Sequence, residues 1–173
     1  MPSKIQVLVP SAEMHVRSLA EHVRRLQEAG RSVVLVTANR PFQTLRDRLA
    51  EAGADVDAVF VLDAISCVNG SQPDERPRNA MFLQSPTMLE MIAMRTEQIL
   101  ARHGENPHVV VDSLNSLALY NGIEPVQEFS HYLANRLRSR DVPADLVVLS
   151  NEQGRILEDR IAGFTDGRVK EAA

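Results

Sequence analysis

The chain has 173 residues, 44% hydrophobic and 24% charged, with a formal charge of −4 from 19 Lys and Arg against 23 Asp and Glu. That composition fills a core and excludes a disordered chain, and the acidic balance argues against a dedicated nucleic-acid binder, which carries a basic excess. A single cysteine, Cys67, excludes an internal disulfide framework, and no apolar run approaches the roughly 20 residues a bilayer requires.

In chain order, Met1-Pro2-Ser3-Lys4 leads straight into a strand-like run, Ile5 to Val9. It does not read as a signal peptide, so a cytoplasmic protein is expected. Pro10-Ser11 stops the strand, and Ser11 is a fitting cap for the helix that follows. In that helix Val16, Leu19, Ala20, Val23 and Leu26 share one face, and Gly30 ends it. Val33 to Thr37 is almost wholly apolar, as a strand covered on both faces should be. Pro41 opens a second helix with Phe42, Leu45 and Leu49 inward, ended by Gly53. Ala58 to Leu62 reads as the third strand.

Residues 64–84 break the rhythm with Asn69-Gly70, Pro73 and Pro77, and read as a long loop of the kind that carries function. Periodicity resumes at Ser85-Pro86 in a helix running to about His103. Val109 to Val111, closed by Asp112, is the fourth strand. Pro125 starts another helix, Leu146 to Leu149 is the fifth strand, and a short helix near Arg155 to Ala162 and a strand around Arg168-Val169 follow. Apolar strands alternating with helices predict a single α/β domain over residues 1–173: a three-layer sandwich around a mostly parallel sheet.

Ligands in such sheets bind at the carboxyl ends of the strands. The junctions that matter are Pro10-Ser11, Ala38-Asn39-Arg40, Asp63-Ala64, Asp112-Ser113 and Ser150-Asn151-Glu152. The segment Val109-Val110-Val111-Asp112-Ser113-Leu114 has the form of a Walker B strand, whose terminal Asp holds Mg²⁺. Alternatively, Asp112 caps the turn or helix that begins at Ser113.

The order of these marks resembles the RecA-type ATPase core, in the branch of the clock protein KaiC. The resemblance spans nearly the whole chain and rests on residues 33–41, residues 109–117, Ser150-Asn151-Glu152 and Asp166-Gly167-Arg168-Val169. It implies a RecA-like central sheet and a nucleotide site between Ser11 and Ser18, beside Asn39, Arg40, Asp112 and Ser113. The residues depart from that pattern twice. A working phosphate loop uses glycines and a lysine, yet Pro10 to Ser18 holds no glycine, puts Glu13 in the turn and offers only Arg17-Ser18 where Lys-Ser/Thr would stand. The paired glutamates that activate water in KaiC-like ATPases correspond to Asn39 and Arg40, neither a carboxylate base.

The expectation is therefore a degenerate site in a non-catalytic pseudo-ATPase, a regulatory or scaffolding module, with no catalytic residue and no cofactor. Two alternatives stand beside it: a nucleotide-binding or weak ATPase using ATP and Mg²⁺ through Arg17, Ser18 and Asp112, and a DNA-recombination accessory. Arg40 and Arg17 are expected near Asp112, either paired with it in an internal salt bridge or holding a small anion. None of the five histidines forms a HxxxH or HExxH pair, so no metal site is expected. Arg136, Arg138 and Arg140 form a basic cluster explained by a helix dipole, and nucleic acid is not an expected partner.

A protein partner or self-association is expected instead. In the helix from Pro86, Met91 and Met94 fall outside the face set by Leu89, Ile92, Thr96, Ile99 and Leu100, with Met88 on its edge and Met81-Phe82 just before. These five are the candidate contact residues. The other reading is that the long loop covers the methionines.

Overall fold

The structure is a computed structural model and describes residues 3–170. Six strands form one sheet: β1 (Ile5–Leu8), β2 (Ser32–Thr37), β3 (Phe60–Asp63), β4 (Ala80–Phe82), β5 (Pro107–Asp112) and β6 (Ala144–Val147). Their order is β1-β6-β5-β2-β3-β4, and every pair is parallel. Arg168 adds an isolated parallel bridge to Val7 on the free edge of β1, where the sequence suggests a last strand.

The helices are α1 (His15–Glu28), α2 (Phe42–Glu51), α3 (Ser66–Asn69, one turn), α4 (Leu89–Leu100), α5 (Leu114–Asn121), α6 (Ile123–Ser139) and α7 (Glu152–Ile161). Alternate side chains of each strand face opposite layers, and two apolar cores follow. Leu8, Leu35, Val61, Val110 and Val147 pack with Leu19 and Val23 of α1 and Leu45 and Leu49 of α2. Val34, Val36, Leu62, Val109, Val111 and Leu146 pack with residues of α4 to α7, among them Ile92, Leu117, Leu133 and Leu157. The three-layer α/β sandwich is therefore as the apolar strands predict.

Three local expectations are corrected. The segment 64–84 is not one long loop, because α3 and the edge strand β4 lie within it. Asp63 builds α3: its carboxylate accepts from the backbone N–H groups of Ile65 (2.9 Å) and Ser66 (2.8 Å), and also from Phe42 (2.7 Å) at the start of α2. The third strand begins at Phe60, two residues later than expected, because residues 56–58 form a 3₁₀ turn capped by Asp55. The helix expected from Pro125 starts at Ile123. After Asp112, where the sequence leaves a turn or a helix from Ser113 open, the chain forms the helix α5, with apolar residues on all sides and no clear periodicity.

Candidate functional site

The carboxyl edge of the sheet is built around Asp112 at the end of β5, 1% exposed. His15, the first residue of α1, lays its imidazole against this carboxylate, Nε2–H donating to Oδ1. Its other nitrogen accepts from the Asn39 side-chain amide at 3.2 Å. Both ring nitrogens are thus engaged, and the ring is held as the Nε2–H tautomer. Asp112 Oδ2 is buried without a partner. Asp112 does not cap α5: Ser113 does, its Oγ accepting from the Ser116 N–H at 3.2 Å. The Asp112–Ser113 peptide bond is cis.

Of the residues expected at this edge, the structure brings together Asn39, Asp112 and Ser113. Arg17 does not join them. It lies on the outer surface of α1, 73% exposed, and pairs with Glu21 at 3.0 Å. Arg40 sits in the turn after β2, where its N–H and carbonyl both bond the Thr37 hydroxyl; its Nε is buried without a partner. The expected salt bridge from either arginine to Asp112 is replaced by His15. Ser18 is half-buried on α1. Ser11 lies in an exposed turn, where its hydroxyl accepts from the Met14 N–H at 3.2 Å, so it shapes the approach to α1 and does not cap it. Residues 11–14 are all exposed, and their side chains, Glu13 included, occupy the turn between β1 and α1.

On the far side of the edge, Asn115 of α5 accepts from the Leu149 N–H at 2.8 Å and donates to Gln153 at 3.2 Å, and Asn151 caps α7 through the Gly154 N–H. This amide cluster contains no titratable group.

A second polar cluster lies under the same helix. Asp145, inside β6 and 2% exposed, accepts at one oxygen, Oδ2, from Nε2 of both His22 and His108, each at 2.6 Å. Burial pushes its carboxyl upward, but the hydrogen bonds from His108 and His22 outweigh that, and the group lies below the usual carboxylate range. His15 and His22 are seven residues apart, two helical turns, so they share the buried face of α1 with Leu19 and Val23.

The candidate contact residues divide. Met81 and Phe82 belong to β4, half-buried, and pack against opposite cores; Phe82 also meets Phe42 edge-on at 6.1 Å. Met88, Met91 and Met94 line a groove of ≈ 1000 Å³ between α4 and α6, with Phe129 and Tyr132 opposite and Glu90 and Glu128 among its walls. The long loop does not cover it. The basic cluster at the end of α6 is paired within the chain: Arg136 and Arg140 share Glu97, and Arg138 pairs with Asp166. Among the described residues no helix is long and apolar enough to cross a membrane.

Comparison with known proteins agrees with this architecture. Residues 5–170 match the profile of a family of unknown function, DUF7504. No curated protein matches the chain. Among solved structures, a KaiC-like protein, PH0186, from the hyperthermophilic archaeon Pyrococcus horikoshii superposes with a TM-score of 0.61 at 15% identity, covering 92% of this chain and 68% of that one. An uncharacterized protein from Pyrococcus horikoshii, PH0321, solved in complex with an unknown peptide, superposes at 0.65 and 11% identity, covering 96% and 76%. The fold is RecA/KaiC-like.

Proposed function

The chain belongs to the family of unknown function DUF7504, and we propose that it is a non-catalytic RecA/KaiC-like module that acts through protein contacts. The observation that carries this reading is the His15 imidazole on Asp112. Phosphoryl transfer on this fold depends on positioning and charge neutralisation around a metal-bound triphosphate. Here the carboxylate that would hold Mg²⁺ is taken by a ring from the chain itself. That ring is no general base either, since Asn39 occupies its second nitrogen. Side chains fill the turn at residues 11–14 where a phosphate loop would present bare backbone.

A second reading, a nucleotide binder, draws on one feature: Asp112 Oδ2 is unpartnered. Thermal unfolding with millimolar ATP or ADP and Mg²⁺ separates the two. A ligand at one hundred times its Kd stabilises the folded state by about 2.7 kcal/mol. No shift is expected, and a shift that is lost on replacing Asp112 would establish the second reading.

The contact surface in this proposal is the groove between α4 and α6. Methionines adapt their shape to a partner, and the carboxylates of Glu90 and Glu128 favour basic side chains at its rim. The occupant this chemistry suits is an amphipathic helix with an apolar face and basic flanks. The peptide bound to the PH0321 neighbour is consistent with such a use of the fold. Met94 is 42% exposed, so Met94→Glu should change stability by less than about 0.5 kcal/mol. It should also abolish binding of a synthetic leucine-faced, arginine-flanked helical peptide in a fluorescence anisotropy titration. Undiminished binding would exclude the groove.

A further inference from the structure

We propose that His22, His108 and Asp145 form a binding site for one borderline divalent metal ion, of the Zn²⁺ or Co²⁺ type, stapling α1 to β5 and β6. This inference is independent of the reading given to the carboxyl edge. Three side chains from three elements converge, and all their ligand atoms lie within 4.8 Å of one another. Two imidazole nitrogens and one carboxylate oxygen are the donors such ions prefer, with a fourth position left for water.

The hydrogen-bonded arrangement alone does not account for the cluster. A buried ion pair roughly breaks even against a well-packed apolar core, so stability gives no reason to place two imidazoles and a carboxylate here. Both rings crowd the same oxygen at 2.6 Å. His108 Nδ1 is buried without a partner, so the Nε2 contact is that ring's one hydrogen bond. Tetrahedral bonds of about 2.1 Å need donors about 3.4 Å apart. Reaching that from 2.6 Å takes less than an ångström of movement per ring.

Binding changes the tautomer of both rings. From the neutral Nε2–H form, each ring loses the Nε2 hydrogen and takes up a proton on Nδ1, so both become ligands by a change of tautomer with no net proton released, while Asp145 enters as the carboxylate it already is. The site is not sealed: the His22 and His108 side chains retain 7% and 11% exposure, which gives an ion and its water a route from the surface.

The test is a Co²⁺ titration of chelator-stripped full-length protein, followed by visible d–d absorption, with Zn²⁺ competition and thermal unfolding in parallel. One equivalent per chain is expected, with the intense bands of a four-coordinate ion, displacement by Zn²⁺ and a raised Tm. Loss of an outer partner of a metal ligand already costs 10–100-fold in affinity, so Asp145→Asn and His22→Gln should each weaken binding by at least about 100-fold. His131→Gln, at an exposed site, should leave it unchanged. Should the variants fail to fold, X-ray absorption of Zn²⁺-loaded wild-type protein decides, and two imidazoles in the coordination shell are expected. Absence of stoichiometric binding, binding unaffected by both variants, or a shell without imidazole would overturn the proposal.

Discussion

Two histidine–aspartate sites sit two turns apart beneath α1, and their burial is nearly the same. Asp112 is 1% and Asp145 2% exposed. What separates them is the number of partners and the place in the sheet. Asp112 ends its strand at the carboxyl edge of the sheet, takes one imidazole and leaves an oxygen unpartnered. Asp145 lies within its strand, opposite Val110 of β5 and Gln6 of β1, and gathers two imidazoles on one oxygen. The first is a carboxylate at the strand end with a neighbouring imidazole laid against it. The second is a polar knot inside an apolar layer, where two imidazoles share one acceptor oxygen. Equal solvent exclusion therefore does not imply equal dependence on the carboxylate.

The largest expected effect follows from that asymmetry. In metal-free protein, Asp145→Ala strands two buried imidazole N–H donors and removes the carboxylate they share. Breaking a buried pair from one side costs about 3–5 kcal/mol. Asp112→Ala strands one donor and removes a carboxylate that is itself half-satisfied, so about 1–3 kcal/mol is expected. Urea denaturation of the two variants, read at a common m-value, measures both. Equal losses would erase the distinction, and a larger loss at Asp112 would reverse it.

The same two sites show what the amino-acid order reveals and what it hides. Asp112 was legible because it closes an unbroken apolar run, and the run itself signals a strand covered on both faces. His15 was within reach: it stands four residues before Leu19, on the face the helix buries. Arg17 stands about 200° round the helix from His15, which is why it meets solvent and Glu21 instead of Asp112. Asp145 also carried a signal, an acid inside the apolar run from Ala144 to Leu149. Its partners did not, because they lie 123 and 37 residues away and no local spacing connects them. β4 stayed hidden for another reason: three residues on a sheet edge are too few to show a period, and pairing with β3 and the Asn79 amide bonded to the Val56 and Val59 carbonyls position them.

The smallest effect probes which partner governs the His15 ring. Asn39 is half-buried, and its amide donates to His15 Nδ1 at 3.2 Å. Asn39→Ala removes a hydrogen bond whose net contribution is about 0.5–1.5 kcal/mol, and a position open to solvent lets water replace the lost donor. The loss should fall in the lower half of that range and below the loss at Asp112. The ring should remain the Nε2–H tautomer in long-range ¹⁵N–¹H spectra of the histidines, since Asp112 still accepts from Nε2. A switch to Nδ1–H would mean that Asn39, on the solvent side, sets the tautomer. The edge would then be held from outside, and Asp112 would be freer to meet a ligand than its burial implies.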